Sequence, residues 1–289
     1  MNGILLIDKP SGWTSSDVVA KLRGVLHERR IGHSGTLDPL ATGLLAVFVG
    51  RATRAVEFAE SHEKQYLASL RLGLSTDTQD ITGNRIGGEP RAVSDAELEQ
   101  ALAAFRGDIL QLPPMYSAIK VGGKKLYEIA RRGGTVERKP RPVHIAALRY
   151  LGREGEDVLL DVTCSKGTYI RSLCHDIGER LGCGGCMSAL RRTRVGDFRL
   201  EYAYTLDRVQ EAADRGEASS LLLPVDSLFA DDPALCVDAE AEKRIRTGTA
   251  VAISAVDGDY RVYGPAGDFL ALGRSQKGEL RSIKSFFEV

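Results

Sequence analysis

An unbroken apolar run, Leu44–Val49, follows a stretch rich in glycine, proline and threonine: Gly32-His33-Ser34-Gly35-Thr36-Leu37-Asp38-Pro39-Leu40-Ala41-Thr42-Gly43. A short apolar run bounded by turn residues reads as a buried strand. The loop before it is built to hold one shape. Gly32, Gly35 and Gly43 admit positive φ and close backbone approach, and Pro39 fixes φ just after the loop's one carboxylate. Asp38 is therefore expected to be held rigidly at the mouth of a buried strand. The ordinary role of an aspartate in such a loop is to cap a turn, so the loop alone leaves a structural and a chemical role both open.

The other patterns set the fold class. Residues 3–7 read as a strand and Lys9-Pro10-Ser11-Gly12 as a turn, with Ser15 or Ser16 capping a helix that runs to about Glu28. Gln65–Leu72 alternates as a strand, and residues 75–92, rich in Thr, Asp, Gly and Pro, read as a long loop or hairpin. Ser94 with Glu97 makes a capping box for a helix ending near Phe105. Pro113-Pro114 breaks the chain before a strand around Ser117–Val121, and Lys125–Arg132 reads as a short helix closed by Gly133-Gly134. Val143–Leu151 and Val158–Cys164 read as strands, the second with Val158, Leu160, Val162 and Cys164 on one face. After Thr168, residues Ile170, Leu173, Cys174, Ile177 and Leu181 make a core stripe at helical spacing. Arg171 projects away from that stripe, where an exposed structural arginine is the ordinary outcome.

These strands do not alternate with long helices as βαβ units require, so the expected class is α+β with a mixed, mostly antiparallel sheet and flanking helices. Beyond about Asp232 the character changes. Short β-like runs (Ala250–Ser254, Tyr260–Tyr263, Phe269–Leu272, Leu280–Phe287) are separated by turns, and the one helix signal is Glu240–Ile245. That is the pattern of a small β-barrel. The expected division is 1–230 and 231–289.

Net charge is zero, 39 basic against 39 acidic side chains, which does not advertise a polyanion binder. The distribution does. Residues 110–149 carry nine basic side chains against Glu128 and Glu137, while residues 201–240 carry ten acids against Arg208 and Arg215. Segregated charge lets one face bind a polyanion despite a neutral total. The start of the chain lacks the basic leader and apolar core of a secretory signal, and no apolar run approaches the roughly 18 residues of a membrane span. Five scattered cysteines argue against a disulfide framework. A cytoplasmic protein with no membrane partner is expected.

Cys174, His175, Cys183 and Cys186 invite a zinc reading. However, Cys174 falls on the core stripe, His175 lies about 100° round the helix from it, and Cys183/Cys186 has no second Cys-x-x-Cys. No metal site is expected. Neither GxxxxGK[ST] nor a well-placed GxGxxG occurs, so no nucleotide cofactor is expected.

The Asp38 string closely resembles the catalytic motif of the TruB family, the bacterial tRNA pseudouridine-55 synthases, in which this aspartate is the essential acid. The resemblance continues along the chain. Lys9-Pro10-Ser11-Gly12-Trp13-Thr14-Ser15 resembles the family's N-terminal motif, and Lys64-Gln65-Tyr66 with Leu72-Gly73 the motif carrying its active-site tyrosine. Pro113–Lys120 and Gly122–Glu128 resemble a further family string. Cys164–Leu173 resembles the second catalytic motif, and Leu190-Arg191-Arg192-Thr193-Arg194-Val195-Gly196 the third. The C-terminal part is similar, more loosely, to a PUA-type RNA-binding domain through Arg246-Thr247-Gly248-Thr249.

The resemblance implies a pseudouridine synthase-like fold with a PUA-like barrel and an isomerase that needs no cofactor. Its substrate is then uridine in the T-arm stem-loop of tRNA, and the enzyme is expected to be a monomer. Pseudouridylation breaks the C1′–N1 bond, turns the uracil and rejoins it through C5, so nothing is oxidised and no group leaves. One carboxylate suffices: Asp38 either attacks as a nucleophile or removes a sugar proton, and an anion beside an oxocarbenium-like centre is favoured in both routes. By resemblance, Arg171 pairs with Asp38, and Tyr66 stacks on the target base and takes part in the final C5 deprotonation. Tyr169 and Leu190 wall the pocket, and His33 fills the gap left by the flipped base. Lys9, Lys120, Lys124, Arg131 and Arg192 complete the expected substrate-binding set. A related synthase acting on ribosomal or guide-directed RNA is the nearer alternative. A silent RNA-binding module on the same scaffold is the other, and the presence of Asp38, Tyr66 and Arg171 argues against it.

Overall fold

The computed structural model describes residues 1–130 and 132–287, and the chain divides into two compact units: Met1–Pro39, Leu44–Glu60 and Asp197–Val289 in the first, Leu40–Gly43 and Ser61–Gly196 in the second. In the first, the strand Gly3–Lys9 lies beside the apolar strand Thr42–Val49, whose other neighbour there is the antiparallel strand Ile31–Ser34, with His33 opposite Val47. The helix Ser15–Val25 turns Val18, Val19, Leu22 and Val25 onto Leu5, Ile7, Leu45, Val47 and Val49. The helix Leu206–Asp214 closes the same core with Leu206, Val209 and Ala212. Each fully buried aliphatic side chain of this kind contributes about 1.5–3 kcal/mol.

The same unit contains a curled five-stranded sheet. In it Ala234–Cys236 runs parallel to Gly258–Tyr263, and the remaining pairs, with Phe269–Gln276, Glu279–Ser285 and Val251–Ala252, are antiparallel. The helix Ala239–Arg246 supplies Ala241 and Ile245 to its core. Phe229, Phe269 and Phe286 pack with ring centroids 5.3–6.1 Å apart.

The second unit is a sheet in the order Gly185–Val195, Lys64–Leu72, Asp157–Cys164, Arg141–Glu154, Gly107–Gln111, with every neighbouring pair antiparallel. The first two residues of Thr42–Val49 add a short parallel pairing to Gly185–Val195, which makes the arrangement mixed. The helix Ile170–Arg180 packs against Gly185–Val195 so closely that a Cβ on Gly178 would overlap the backbone of Gly184 and Gly185. Its whole stripe, Ile170, Leu173, Cys174, Ile177 and Leu181, is buried, as are Val158, Leu160, Val162 and Cys164. Burial pushes the thiols of Cys164 and Cys186 up to about 11, and that of Cys174 higher still. No helix among the described residues is long and apolar enough to cross a membrane.

Several local expectations need correcting. Thr14, not Ser15 or Ser16, caps the first helix, in a capping box with Asp17, and the helix ends at Val25 rather than near Glu28. The expected strand at Ser117–Val121 shrinks to Lys120–Val121, because Gly122-Gly123 turns the chain at once into Lys124–Lys125. The helix expected over Lys125–Arg132 covers Leu126–Ala130, with Arg131 outside the described residues. Residues 75–92 hold a small hairpin, Ser75–Thr76 against Arg85–Gly87.

Candidate active site

Asp38 lies in the first unit, half-buried, in a loop fixed on both sides. On one side, the buried Ser15 hydroxyl accepts the Leu37 N–H at 2.9 Å and donates to the Leu37 carbonyl at 3.1 Å. On the other, the Gly12 N–H donates to the Pro39 carbonyl at 2.8 Å. Leu37 is itself buried, so these bonds are shielded from water. The turn that supplies them is held from below by Lys9. That residue is fully buried, with its ammonium donating to the carbonyls of Pro10 at 2.9 Å and Trp13 at 2.6 Å. The motif Lys9–Ser15 is thus the bracket of the Asp38 loop, and its lysine is spent inside the protein rather than offered at the surface. His33, in the strand Ile31–Ser34 just before that loop, is half-buried.

Tyr66, Leu190 and Arg192 lie in the second unit on adjacent strands, and the register places them on one face: Tyr66 is opposite both Arg192 and Val162, and Leu190 is opposite Ala68. Tyr66 and Leu190 are buried, and Arg192 is 1% exposed. Arg192 was expected among the substrate-binding side chains, yet it is one of the largest fully enclosed residues of the protein. Its main chain explains the glycine at position 43. Gly43 has φ +96° and pairs with Arg192 so tightly that a Cβ would overlap the Arg192 carbonyl. Only glycine meets both demands.

Tyr169 and Arg171 start the helix Ile170–Arg180. Tyr169 has no side-chain cap of its own. Its N–H donates to the Gln111 side-chain carbonyl at 2.7 Å, and its carbonyl accepts from the Gln111 amide at 3.0 Å. Arg171 is buried, correcting the exposed position that helical periodicity suggests. Its guanidinium donates to the Tyr116 carbonyl at 2.7 Å and the Thr78 carbonyl at 3.2 Å, and stands 3.8 Å from an Asp80 carboxylate oxygen. Asp80 is held in turn by the hydroxyls of Thr78 at 2.9 Å and Thr82 at 2.5 Å. Ser172 donates to the Gln79 side chain at 2.8 Å. Tyr169, Arg171 and Ser172 at the helix start therefore bind segments 78–80 and 111–116, a hydrogen-bonded frame that holds a charged guanidinium in the interior.

The basic strip is at the surface. Lys120 and Lys124 are exposed on the hairpin whose register sets Lys120 opposite Lys125 and Val121 opposite Lys124, and Arg132, Lys139 and Arg141 are exposed nearby in sequence. Arg131 falls outside the described residues.

The bonds made by Ser15, Gln111 and Asp80 escape a reading of the sequence: Ser15 shows there only as a candidate helix cap and as the end of the Lys9–Ser15 motif, Asp80 only in the Thr-x-Thr-x-Asp-x-Thr spacing of residues 76–82, and Gln111 not at all.

A family model described as TruB family pseudouridylate synthase (N terminal domain) matches residues 23–170, and one described as tRNA pseudouridylate synthase B C-terminal domain matches residues 171–230. The tRNA pseudouridine synthase B of Aromatoleum aromaticum is 45% identical over 274 residues, covering 94% of this chain and 88% of that protein. Its namesake from Syntrophomonas wolfei is 43% identical over 282 residues, covering 95% and 94%. Among solved structures, the crystal structure of a Cbf5-Nop10-Gar1 complex matches with a TM-score of 0.76 and 28% identity over 99% of this chain and 85% of that one. The chain belongs to the TruB family of pseudouridylate synthases.

Proposed function

We propose that this protein is a tRNA pseudouridine synthase that isomerises uridine-55 in the T loop, acting as a monomer in the cytoplasm and recognising the T-arm stem-loop. What supports this most is the Asp38 loop: a half-buried carboxylate whose two neighbours are pinned at 2.8–3.1 Å by a dedicated turn. Catalysis benefits from such fixed placement, because a charge already in position needs no reorganisation as the transition state forms.

The reaction is an isomerisation with closed atom balance. The C1′–N1 bond breaks, C1′–C5 forms, the C5 hydrogen leaves as a proton and N1 gains one. Asp38 acts on the sugar, as nucleophile at C1′ or as base, and its negative charge stabilises the cationic character at C1′. Tyr66 stacks on the base and assists the loss of the C5 proton. Tyr169 and Leu190 bound the space for one nucleotide, and Arg171 is the cation of the catalytic set. The base must leave its stack to reach Asp38, which costs a few kcal/mol, and His33 offsets part of that by occupying the gap. Exposed Lys120, Lys124 and Arg132 contact phosphates, and Arg131, adjacent to Arg132 in sequence, adds a further phosphate contact. Buried Lys9 serves binding by shaping the turn that holds the Asp38 loop, and buried Arg192 by shaping its own sheet. The five-stranded sheet within residues 231–289 adds affinity for more distant RNA. No metal or nucleotide enters any of these steps.

Tritium release from a T-arm stem-loop carrying [5-³H]uridine tests the proposal. One equivalent released from the target uridine is expected. RNA that binds without release supports the silent RNA-binding module instead.

A further inference from the structure

The chain contains a single tryptophan, Trp13, and it is exposed (36%). An exposed aromatic residue by itself is unremarkable. Its mounting is not. Gly12, on one side, donates its N–H to Pro39, and Ser15, two residues beyond, holds Leu37. The carbonyl of Trp13 itself accepts the buried Lys9 ammonium at 2.6 Å. The indole thus stands on a backbone bolted to both neighbours of Asp38, in the same unit. Gly12, at φ +82°, makes the tight turn that lifts it there.

We propose that Trp13 is a stacking platform for an unpaired nucleobase of the RNA, one flanking the uridine presented to Asp38. The inference rests on the reading of the protein as an RNA-modifying enzyme. Its chemistry is specific: an RNA loop offers unstacked bases with exposed π-faces, and aromatic side chains are the common platform for them. A rigid mounting adds to the effect, because little freedom remains for the backbone to lose when the base arrives.

Because Trp13 is the only indole, the emission of the native protein reports this one site. A synthetic T-arm stem-loop is expected to quench it on binding, and a fully paired duplex of the same composition is expected not to. Trp13→Ala is expected to weaken stem-loop binding between about 5-fold and about 150-fold, the range for losing one base–aromatic stack, with the thermal midpoint unchanged. Trp13→Phe keeps a π-face and is expected to retain most of the affinity. An Ala variant within about twofold of wild type overturns the proposal, as does a Phe variant as weak as Ala. Should Trp13→Ala melt early, the wild-type emission decides, and an absence of quenching overturns the platform. Tritium release is followed in parallel. Release without any effect at Trp13 removes the platform and leaves the isomerase reading standing, whereas absence of release removes the isomerase reading on separate grounds.

Discussion

Replacing Ser15 with alanine should damage the enzyme in two separable ways. Ser15 is 1% exposed and its hydroxyl makes both bonds to Leu37, which is 3% exposed. Alanine removes both at once and leaves the Leu37 N–H buried without its acceptor. An orphaned buried polar group costs about 1–3 kcal/mol, and the Leu37 carbonyl, losing a donor as well, places the total near the upper part of that range. In a chain of this size each kcal/mol lowers the melting midpoint by about 2–4 °C, so a fall of about 4–12 °C is expected. The second effect is on rate. Asp38 follows Leu37 directly, and a displacement of about 1 Å at a reacting group costs about 100-fold. Single-turnover tritium release is therefore expected to slow by about 10- to 100-fold, with stem-loop affinity nearly unchanged because the phosphate contacts are intact. Calorimetric melting and the rate at saturating enzyme measure the two effects separately. A variant that melts with wild type and turns over at the wild-type rate would refute the claim that this bracket positions Asp38.

Gln111→Met keeps the size of the side chain and removes both bonds to the Tyr169 backbone; it should cost about 1–3 kcal/mol in stability and lower the single-turnover rate, and unchanged values for both would show the clamp to be idle. Replacing Lys120, Lys124 and Arg132 with alanine should flatten the dependence of log affinity on log salt by about 0.7–0.9 per lost phosphate contact, and an unchanged slope would move the RNA to another face. Among the cysteines, Cys236 is exposed and the other four are buried, so one thiol should react in the native protein at pH 8. Burial holds the Cys164 and Cys186 thiols neutral up to about 11 against the ordinary 9.0. Their neutral form favours the folded state, so stability should fall as pH rises from 9 toward 11, and a melting midpoint flat across that window would contradict it.

The parts of the fold legible in the sequence are those whose partners lie along the same element. The stripe from Ile170 to Leu181 and the face from Val158 to Cys164 announce themselves because periodicity and burial share one cause, and both are buried as expected. The capping box of Ser94 and Glu97 is equally local, its reciprocal bonds spanning three residues, and it forms. What stays hidden depends on distant chain. Ser15 resembles a cap in sequence, but its hydroxyl is committed to Leu37, 22 residues away, and Thr14 does the capping. Arg171 sits off the apolar stripe as periodicity says, yet segments 78–80 and Tyr116 cover that side of the helix and bury it. Lys9 and Arg192 carry charges that composition assigns to the surface, and the bonds that draw Lys9 inward run to backbone carbonyls, which no sequence pattern displays.

The central claim is that Asp38 performs the chemistry while other residues supply the affinity. Its most direct test is tritium release by Asp38→Asn, verified free of deamidation, on a [5-³H]uridine T-arm stem-loop at saturating enzyme. The expected result is no release above background, with the dissociation constant for the stem-loop within a few-fold of wild type, since the phosphate contacts are untouched. Release at a measurable fraction of the wild-type rate would contradict the claim and take Asp38 out of the mechanism.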